Sequence, residues 1–353
     1  MYQNYKVVVN TAAGRRRYMQ YLIPYVLASD IVDRYDLWIN THNGADIEFF
    51  KKMASLYPKI NLVWQPDGWV NGNASINAFY KQCIEEDTIY FKLDDDISWM
   101  EDSAIEKMVK FRVENPQYFL VSPLVINNAQ STYLLQVCDK LKLNKYYNSA
   151  ADNNILWRSG EFASQLHQWF LKIIEDDSLK ELHIGSHPMA LCRFSINSIM
   201  WFGKDLAKIK GIVPGDDEEF MSCILPSKMG WINCWNADVI LAHFAFYTQR
   251  EQLDKCRILE KYGIVNYEYF KEKEELDEIN TTVQKVMTII TSTESQLMQN
   301  PSPYSNINPD IPVIPVKKDD WKVFKKMIPG PVKRFAKLLL KKSNNTIENY
   351  ILN

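Results

Sequence analysis

The sequence predicts an α/β protein in which a mixed, mainly parallel sheet is flanked by helices. Short apolar runs typical of strands recur over roughly the first hundred residues, namely YKVVVNT, YDLWINT, INLVWQP and TIYFKL. Between them, apolar residues recur every three or four positions, as in a helix, at Tyr18, Tyr21, Leu22 and Tyr25 and again at Ile76, Phe79, Tyr80, Cys83 and Ile84. Such alternation builds a doubly wound sheet, which binds ligands beyond the carboxyl ends of its strands.

The composition indicates a globular chain with a full core. Its 353 residues are 46% hydrophobic and 13% aromatic, enough for one large or two ordinary domains, and the net charge of -2 favours no particular partner. The six cysteines form no CxxC pair, which predicts reduced thiols, a cytosolic protein and no zinc site. The first strand begins at Tyr5, so we expect no signal peptide, and no apolar run reaches the roughly 18 to 20 residues that span a bilayer.

Three carboxylates, Asp94, Asp95 and Asp96, directly follow the strand-like run TIYFKL. Adjacent like charges repel wherever water is scarce, so this run is either a solvated surface turn or the site of a bound cation. At the carboxyl end of a strand in a doubly wound sheet, a divalent cation and a phosphorylated ligand would bind. Mg²⁺ or Mn²⁺ typically takes one or two carboxylates plus substrate phosphates. Alone, the acidic run leaves both interpretations open.

Further along the chain, a glycine loop, a second acidic turn and a histidine follow the carboxylates in order. These elements are the WFGKD loop around Gly203, the pair Asp216 and Asp217 ahead of Phe220, and His243 after DVILA. Over about residues 5 to 250, their order and spacing resemble the common core of glycosyltransferases of the GT-A fold, of the bacterial capsule or surface-glycan type. The chain departs from that pattern at the pair, which is Asp-Asp where the family often has Glu-Asp.

The resemblance implies a metal-dependent enzyme. Asp96 and His243 would hold the metal, with Asp94 at the metal or nearer the ribose of the nucleotide. Histidine suits Mn²⁺ better than Mg²⁺, so Mn²⁺ is the first choice of cofactor and Mg²⁺ the second. The competing interpretation of His243 is a core histidine on an apolar strand.

The acidic turn PGDDEEF would supply the general base that removes a proton from the acceptor hydroxyl, in a direct displacement with inversion. Asp217 is the first choice and Glu218 the second, because a shift of one residue in the alignment of the turn exchanges them. These acids would equally suit a helix N-terminus capped by Gly215 or Asp216, and both interpretations hold together without conflict.

Donor-binding residues are predicted at the same edge of the sheet. The turn after the first strand, with Thr11 and Arg16, resembles in position the segment that meets the nucleotide in this fold, and an arginine there would pair with diphosphate oxygens. Asn73, which opens the helix before the carboxylates, is a further candidate, as are Asp94 and Asp95. The simpler alternatives are surface charge for the arginines and an N-cap for Asn73.

The acceptor region is predicted in the helix-rich section of about residues 130 to 182 and beside the glycine loop. Its candidate aromatic residues are Tyr146, Tyr147, Trp157, Trp169, Trp201 and Phe202. Aromatic faces cover sugar rings, although aromatic residues at helical spacing more often belong to a core.

Changes in composition predict four segments. They are a catalytic domain at 1–250 (about 1–100 binding the donor and 101–250 the acceptor), a helical extension at 251–298, a proline-rich linker at 299–316 and a basic amphipathic tail at 317–353. Between Lys317 and Lys342, ten Lys or Arg stand against two Asp, with apolar residues recurring every three or four positions. Opposed basic and apolar faces predict binding to an anionic membrane surface, with a disordered tail or a nucleic-acid arm as alternatives.

Taken together, these features predict a glycosyltransferase that moves a sugar from a nucleotide-sugar donor, with UDP-sugar as first choice, to a hydroxyl of a glycan or lipid-linked acceptor. It would lie in the cytoplasm, peripheral to the inner face of the cell membrane, with no nucleic acid as partner. Two alternatives remain: a sugar-phosphate nucleotidyltransferase, which shares fold and metal, and a non-catalytic peripheral membrane adaptor.

Overall fold

A computed structural model of the protein describes residues 1–65, 70, 73–300, 302–304 and 348–352. Within them, the strands are β1 (Lys6–Ala13), β2 (Arg34–Ile39), β3 (Ile60–Trp64), β4 (Thr88–Leu93), β5 (Ile97–Met100), β6 (Tyr118–Ile126), β7 (Ser186–Pro188), β8 (Ser198–Phe202) and β9 (Ile232–His243). The α-helices are α1 (Arg16–Leu27), α2 (Gly44–Leu56), α3 (Asn73–Tyr80), α4 (Ala104–Glu114), α5 (Ala129–Val137), α6 (Gly160–Glu175), α7 (Gly203–Ala207), α8 (Asp217–Glu219), α9 (Leu225–Met229), α10 (Arg250–Lys255), α11 (Ile258–Lys271) and α12 (Glu274–Leu297). A 3₁₀ turn spans Leu179–Leu182 and a π-helical turn spans Phe220–Ile224.

All of these strands join one sheet in the order β3-β2-β1-β4-β8-β6-β9-β5, and β7 pairs with β9. The first four strands in this order run parallel, as do β6 and β9, while β8, β5 and β7 run antiparallel to their neighbours. The predicted α/β class, a mixed sheet flanked by helices, is therefore confirmed. The sheet continues without a break across the predicted donor and acceptor halves.

Two apolar cores lie on opposite faces of the sheet, because successive side chains of a strand point in opposite directions. Strand β1 shows this directly: Val8 packs in one core, whereas Val7 and Val9 pack in the other. Strand β4 is buried along its whole length, which accounts for its nearly continuous apolar sequence.

The C-terminal helices pack on the sheet domain. Helix α12 lies against α1 and α2, and it approaches α2 so closely that a Cβ on Gly44 would lie 2.1 Å from the carbonyl oxygen of Leu297. No helix among the described residues has the length and apolar character needed to cross a bilayer.

Two short segments near the C-terminus also contact the body. Tyr304 is buried and donates from its hydroxyl to the carbonyl oxygen of Ile39 over 2.6 Å. Tyr350 packs edge-on against Phe162, with ring centroids 5.7 Å apart. The predicted basic segment at 317–342 lies outside the described residues, as does most of the predicted linker.

Candidate functional site

The three consecutive aspartates lie in the turn that joins β4 to β5. The backbone N–H of Asp94 donates to the carbonyl oxygen of Asn197 over 2.9 Å, and that of Ile97 donates to the carbonyl oxygen of Asp94 over 3.2 Å. The turn therefore holds the acidic side chains at the carboxyl edge of the parallel strands, where the sequence placed them. It does not expose them freely, since Asp95 and Asp96 are only 6% and 2% exposed.

Asp94 is held by two side chains from the sheet interior. The ammonium of Lys92, on β4, donates to Asp94 Oδ1, and the amide of Asn197 donates to Asp94 Oδ2 over 3.0 Å. Lys92 also donates to the carbonyl oxygen of Ile196 over 2.8 Å. Burial opposes the charge on Lys92, but the nearby carboxylate of Asp94 outweighs burial and raises the lysine pKa. Lys92 therefore supplies a fixed positive charge behind the turn.

Asp95 and Asp96 share the guanidinium of Arg15. Arg15 Nε donates to Asp95 Oδ2 over 3.0 Å, and Arg15 Nη2 donates to Asp95 Oδ1 and, over 2.9 Å, to Asp96 Oδ2. The N–H of Gly14 also donates to Asp95 Oδ2 over 3.1 Å. Burial alone would raise the pKa of Asp96, but Arg15 and His243 outweigh it and hold that pKa well below its usual range. Asp95 thus serves as a partner of Arg15 rather than as a free ligand group.

His243 ends β9 and meets the acidic turn from the other half of the sheet. Its Nε2 lies 3.3 Å from Asp96 Oδ1, and its Nδ1 lies 3.4 Å from the carbonyl oxygen of Asn127. Because that carbonyl oxygen can only accept a hydrogen bond, Nδ1 carries the proton, and Nε2 faces Asp96. Burial lowers the pKa of His243, and Asp96 more than reverses this shift.

The structure brings Asp94, Asp96 and His243 together, as the resemblance implied. One ligand atom from each lies within 4.8 Å of the others. Two carboxylate oxygens and one imidazole nitrogen fit a divalent cation such as Mn²⁺. The three ligands combine the β4–β5 turn with the end of β9, so the set depends on the fold and not only on a local run of acids.

The second acidic turn lies beside the first. Asp216 caps α8 by accepting from the N–H of Glu219 over 3.2 Å, which confirms the predicted cap. Asp217 Oδ2 accepts from the hydroxyl of Tyr80 over 3.0 Å, and burial raises the pKa of Asp217 while Lys92 opposes that rise. Asp217 therefore points toward Lys92 and Asp94.

Glu218 has a different environment. Its Oε1 accepts from Arg193 Nε over 2.7 Å, and Arg193 Nη2 lies 2.9 Å from Asp216 Oδ2. The ion pair with Arg193 occupies Glu218, so Asp217 is the one of the two candidates that faces the cluster.

The predicted donor residues outside the acidic turn are Thr11, Arg16 and Asn73. Thr11 is buried, and its hydroxyl lies 3.1 Å from that of Tyr35. Arg16 pairs with Asp46 over 2.7 Å and with Glu294 over 2.8 Å, so Arg15 and not Arg16 reaches the aspartates. Asn73 is the first residue of α3.

Trp201, a predicted acceptor contact, and Gly203, in the predicted glycine loop, belong to the core. Trp201 is fully buried and stacks on Tyr90 with ring centroids 5.9 Å apart, so it offers no face to a sugar. A Cβ on Gly203 would lie 2.1 Å from the carbonyl oxygen of Glu85, so this glycine is required by the packing of α7 on the chain before β4. The interpretation of Trp201 as an acceptor contact is wrong, because β8 lies in the middle of the sheet and buries this side chain.

Several residues that build the site were not predicted from the sequence. They are Arg15, Lys92, Asn127, Asn197 and Arg250. Lys92 had a signal, since a lysine within an otherwise apolar strand needs a buried partner. The others lie at or beside the ends of strands and helices, where nothing in the local sequence distinguishes them.

No protein-family model and no curated protein matches this sequence. Among solved structures, 4-diphosphocytidyl-2C-methyl-D-erythritol synthase from Anaerococcus prevotii is similar at 11% identity and a TM-score of 0.38, covering 73% of this chain and 96% of that one. A CMP:2-keto-3-deoxy-manno-octonic acid synthetase complexed with CTP has 9% identity and a TM-score of 0.39, covering 73% and 98%. Another 4-diphosphocytidyl-2C-methyl-D-erythritol synthase has 8% identity and a TM-score of 0.38, covering 73% and 100%.

These comparisons contradict the predicted glycosyl transfer. The names of these proteins are those of diphosphocytidyl and CMP product synthases and not of glycosyltransferases, and they agree better with the alternative of a sugar-phosphate nucleotidyltransferase. The predicted glycan or lipid-linked acceptor and the predicted membrane partner are not tested by these comparisons. At such low identities the similarity concerns the fold, so the activity has to be inferred from the site.

Proposed function

We propose that the protein is a divalent-cation-dependent nucleotidyltransferase that joins a nucleotide to a phosphorylated sugar. The observation that supports this proposal is the convergence of Asp94, Asp96 and His243 within 4.8 Å at the carboxyl edge of the sheet. These residues would hold Mn²⁺, or Mg²⁺ as second choice. When bound, such a cation offsets the charge of a triphosphate and acts as a Lewis acid toward it.

Two arginines beside the carboxylates supply further positive charge. Among the described residues, Arg15 Nη1 and Arg250 Nε are buried nitrogens without a hydrogen-bond partner. Arg250 Nη2 lies 4.0 Å from Asp96 Oδ2, so this guanidinium borders the cluster. Buried donors without an acceptor are costly, and guanidinium groups bind phosphate oxygens in planar contacts. Phosphate groups of the two substrates at this edge would satisfy both arginines.

The proposed reaction is one displacement at phosphorus. An oxygen of the sugar phosphate attacks the α-phosphorus of a nucleoside triphosphate and forms the new P–O bond. The bond from the α-phosphorus to the oxygen that bridges to the β-phosphate breaks, and its electron pair leaves with pyrophosphate. Arg15 and Arg250 would hold the phosphates in line for this attack.

Asp217 has no required role as a base in this reaction. A sugar phosphate has a second pKa near 6, so its attacking oxygen is already ionised near neutral pH. The base predicted from the sequence was inferred for attack by a hydroxyl, whose proton has to be removed.

The proposal is tested by pyrophosphate release from the full-length protein. CTP, UTP, GTP and ATP are each supplied with Mn²⁺ or Mg²⁺ and a panel of sugar 1-phosphates, beginning with CTP because the similar synthetase was complexed with it. We expect release that requires nucleotide, cation and sugar phosphate together.

Asp96→Asn is expected to reduce release on the order of 10²-fold or more, since the cation contributes several kcal/mol. Asp205→Asn is the matched control, because Asp205 is another buried carboxylate but pairs with Lys208 over 3.1 Å. Full activity after removal of divalent cations, or no pyrophosphate with any combination, would overturn the proposal.

A further inference from the structure

A series of aromatic side chains in contact with one another leads from His243, a candidate metal ligand, to the protein surface. The ring centroids of His243 and Phe246 are 4.8 Å apart, those of Phe246 and Trp157 are 6.0 Å apart, and those of Trp157 and Tyr247 are 5.3 Å apart at 82°. Trp157 and Phe246 are half-buried, while Tyr247 is 67% exposed. We refer to Trp157, Phe246 and Tyr247 as the aromatic platform.

The two loops that carry the platform are hydrogen-bonded to each other. The hydroxyl of Thr248 donates to the carbonyl oxygen of Trp157 over 3.0 Å. The side-chain amide of Gln249 donates to the carbonyl oxygen of Leu156 over 3.1 Å, and Gln249 is fully buried. Exposed rings on such a fixed base lose little conformational freedom when a ligand binds, so they suit a binding surface.

The same buried glutamine links the platform to the metal cluster. Gln249 Oε1 accepts from the side-chain amide of Asn127 over 2.9 Å and from the backbone N–H of Phe246 over 3.1 Å. The carbonyl oxygen of Asn127 is the group that meets His243 Nδ1. One polar centre therefore orients both the imidazole and the platform, so their relative position is fixed.

Two arginines adjoin the platform. The guanidinium carbon of Arg158 lies 5.5 Å from the ring centroid of Trp157. Arg250, three residues after Tyr247, borders Asp96. An anionic ligand would thus place its phosphate toward Arg250 and its ring over the exposed aromatic surface.

The position of the platform along the sheet indicates which of the two substrates it would bind. It adjoins the end of β9, whereas Arg15 adjoins the end of β1, and the cluster at the end of β4 lies between them. Nucleotides in doubly wound sheets bind where the strand order reverses, over the parallel half. The β9 side is then left for the second substrate, whose pyranose ring offers the apolar C–H face that stacks on an aromatic ring.

We propose that the aromatic platform binds the sugar ring of the phosphorylated substrate, and this inference rests on the proposed nucleotidyl transfer. The test is isothermal titration calorimetry, in which each probe is titrated into the full-length protein in the presence of Mn²⁺. The probes are the 1-phosphates of glucose, galactose and mannose, inorganic phosphate, and CTP. We expect at least one hexose 1-phosphate to bind more tightly than inorganic phosphate.

Tyr247→Ala should remove that advantage: the affinity for the hexose 1-phosphate should fall about tenfold, while the affinity for CTP stays unchanged. Tyr267→Ala is the matched control, because Tyr267 is 46% exposed on α11 and has Lys271 over its ring. Trp157→Phe, which keeps an aromatic face, should retain most of the affinity.

The platform inference is overturned if no hexose 1-phosphate binds more tightly than inorganic phosphate, or if Tyr247→Ala leaves the affinity unchanged. Weakened binding of CTP in that variant would assign the platform to the nucleobase and would also overturn it. The pyrophosphate-release assay separates the two proposals. If a hexose 1-phosphate binds in a way that depends on Tyr247 but no pyrophosphate is released, nucleotidyl transfer is refuted and the platform inference is retained.

Discussion

Arg15 binds Asp95 at two points, with Nε 3.0 Å from Oδ2 and Nη2 donating to Oδ1. The same Nη2 lies 2.9 Å from Asp96 Oδ2. One cation thus offsets two buried carboxylates, while Lys92 offsets the third, Asp94. This arrangement explains how three adjacent acids are accommodated at the end of a buried strand, where their mutual repulsion would otherwise be costly.

Replacing Arg15 with Met should destabilise the protein by about 3 to 5 kcal/mol, because it leaves buried carboxylates without a counter-charge. The free energy of unfolding is measured by urea denaturation without divalent cations. Added Mn²⁺ should recover part of the loss, since it binds the folded cluster.

Arg17→Met is the control for this change. Arg17 pairs with Asp254 across side chains that are 48% and 41% exposed, so its loss should cost less than about 1 kcal/mol. Equal losses in the two variants would contradict the buried neutralising role of Arg15.

His167 should make stability depend on pH between about 6.5 and 4. Burial lowers the pKa of His167 to about 4. Its Nε2 donates to the carbonyl oxygen of Phe244 and its Nδ1 accepts from the hydroxyl of Tyr262, both over 2.8 Å. The unfolded chain binds the proton first as pH falls, so the free energy of unfolding decreases across this range, by about 3 kcal/mol in total.

The measurement is a series of urea titrations from pH 7 to pH 4 on the wild type and on His167→Gln. Glutamine can both donate and accept a hydrogen bond but does not titrate, so the variant should lose stability less steeply as pH falls. Parallel pH profiles for the two proteins would show that His167 is not the group responsible.

Asp217→Asn should reduce the maximal rate of pyrophosphate release by less than about tenfold at pH 7.5. The attacking phosphate oxygen is already ionised there, so no carboxylate has to remove a proton. Asparagine also keeps an oxygen for the hydroxyl of Tyr80. A loss of about 10² to 10⁴-fold, the usual contribution of a positioned base, would instead mean that the acceptor attacks through a protonated group.

The basic segment at 317–342 remains a predicted membrane-binding element. Replacing its ten Lys and Arg by Gln should remove sedimentation with anionic vesicles, because each contributes roughly 1 kcal/mol near such a surface. High salt should also weaken the binding of the wild type to these vesicles, since salt screens the electrostatic field of the membrane surface, which decays within about 8 Å even at physiological ionic strength.

Substitution tests this segment better than truncation does. Tyr350 and Ile351 are buried against the body, and truncation before the segment would remove their contacts as well. Unchanged sedimentation of the substituted protein, or retention of RNA by the wild type in place of vesicles, would refute the membrane prediction.

Local sequence was sufficient to predict the sheet and the position of the acidic turn. The runs that became β1, β2, β3 and β4 carry their own strand pattern, and the helical spacing between them requires crossover connections. The carboxylates after TIYFKL had to lie at a strand end, because a buried strand does not tolerate three adjacent charges.

The resemblance also named Asp94, Asp96 and His243 as one group, and the structure brings them together. Their metal-binding role stays a proposal. The same resemblance gave the wrong reaction, because shared sheet architecture places ligands at the same edge without fixing which bond is broken.

Tertiary structure decided which side chains face the site. In the run of three arginines, the chain turns into α1, where successive residues differ by about 100° in direction. Arg15 consequently meets Asp95 and Asp96, Arg16 meets Asp46, and Arg17 points to solvent near Asp254. Sequence alone determined that strands, helices and an acidic strand end exist. Which arginine, lysine and histidine surround that end depends on contacts between segments distant in the chain, which no local pattern encodes.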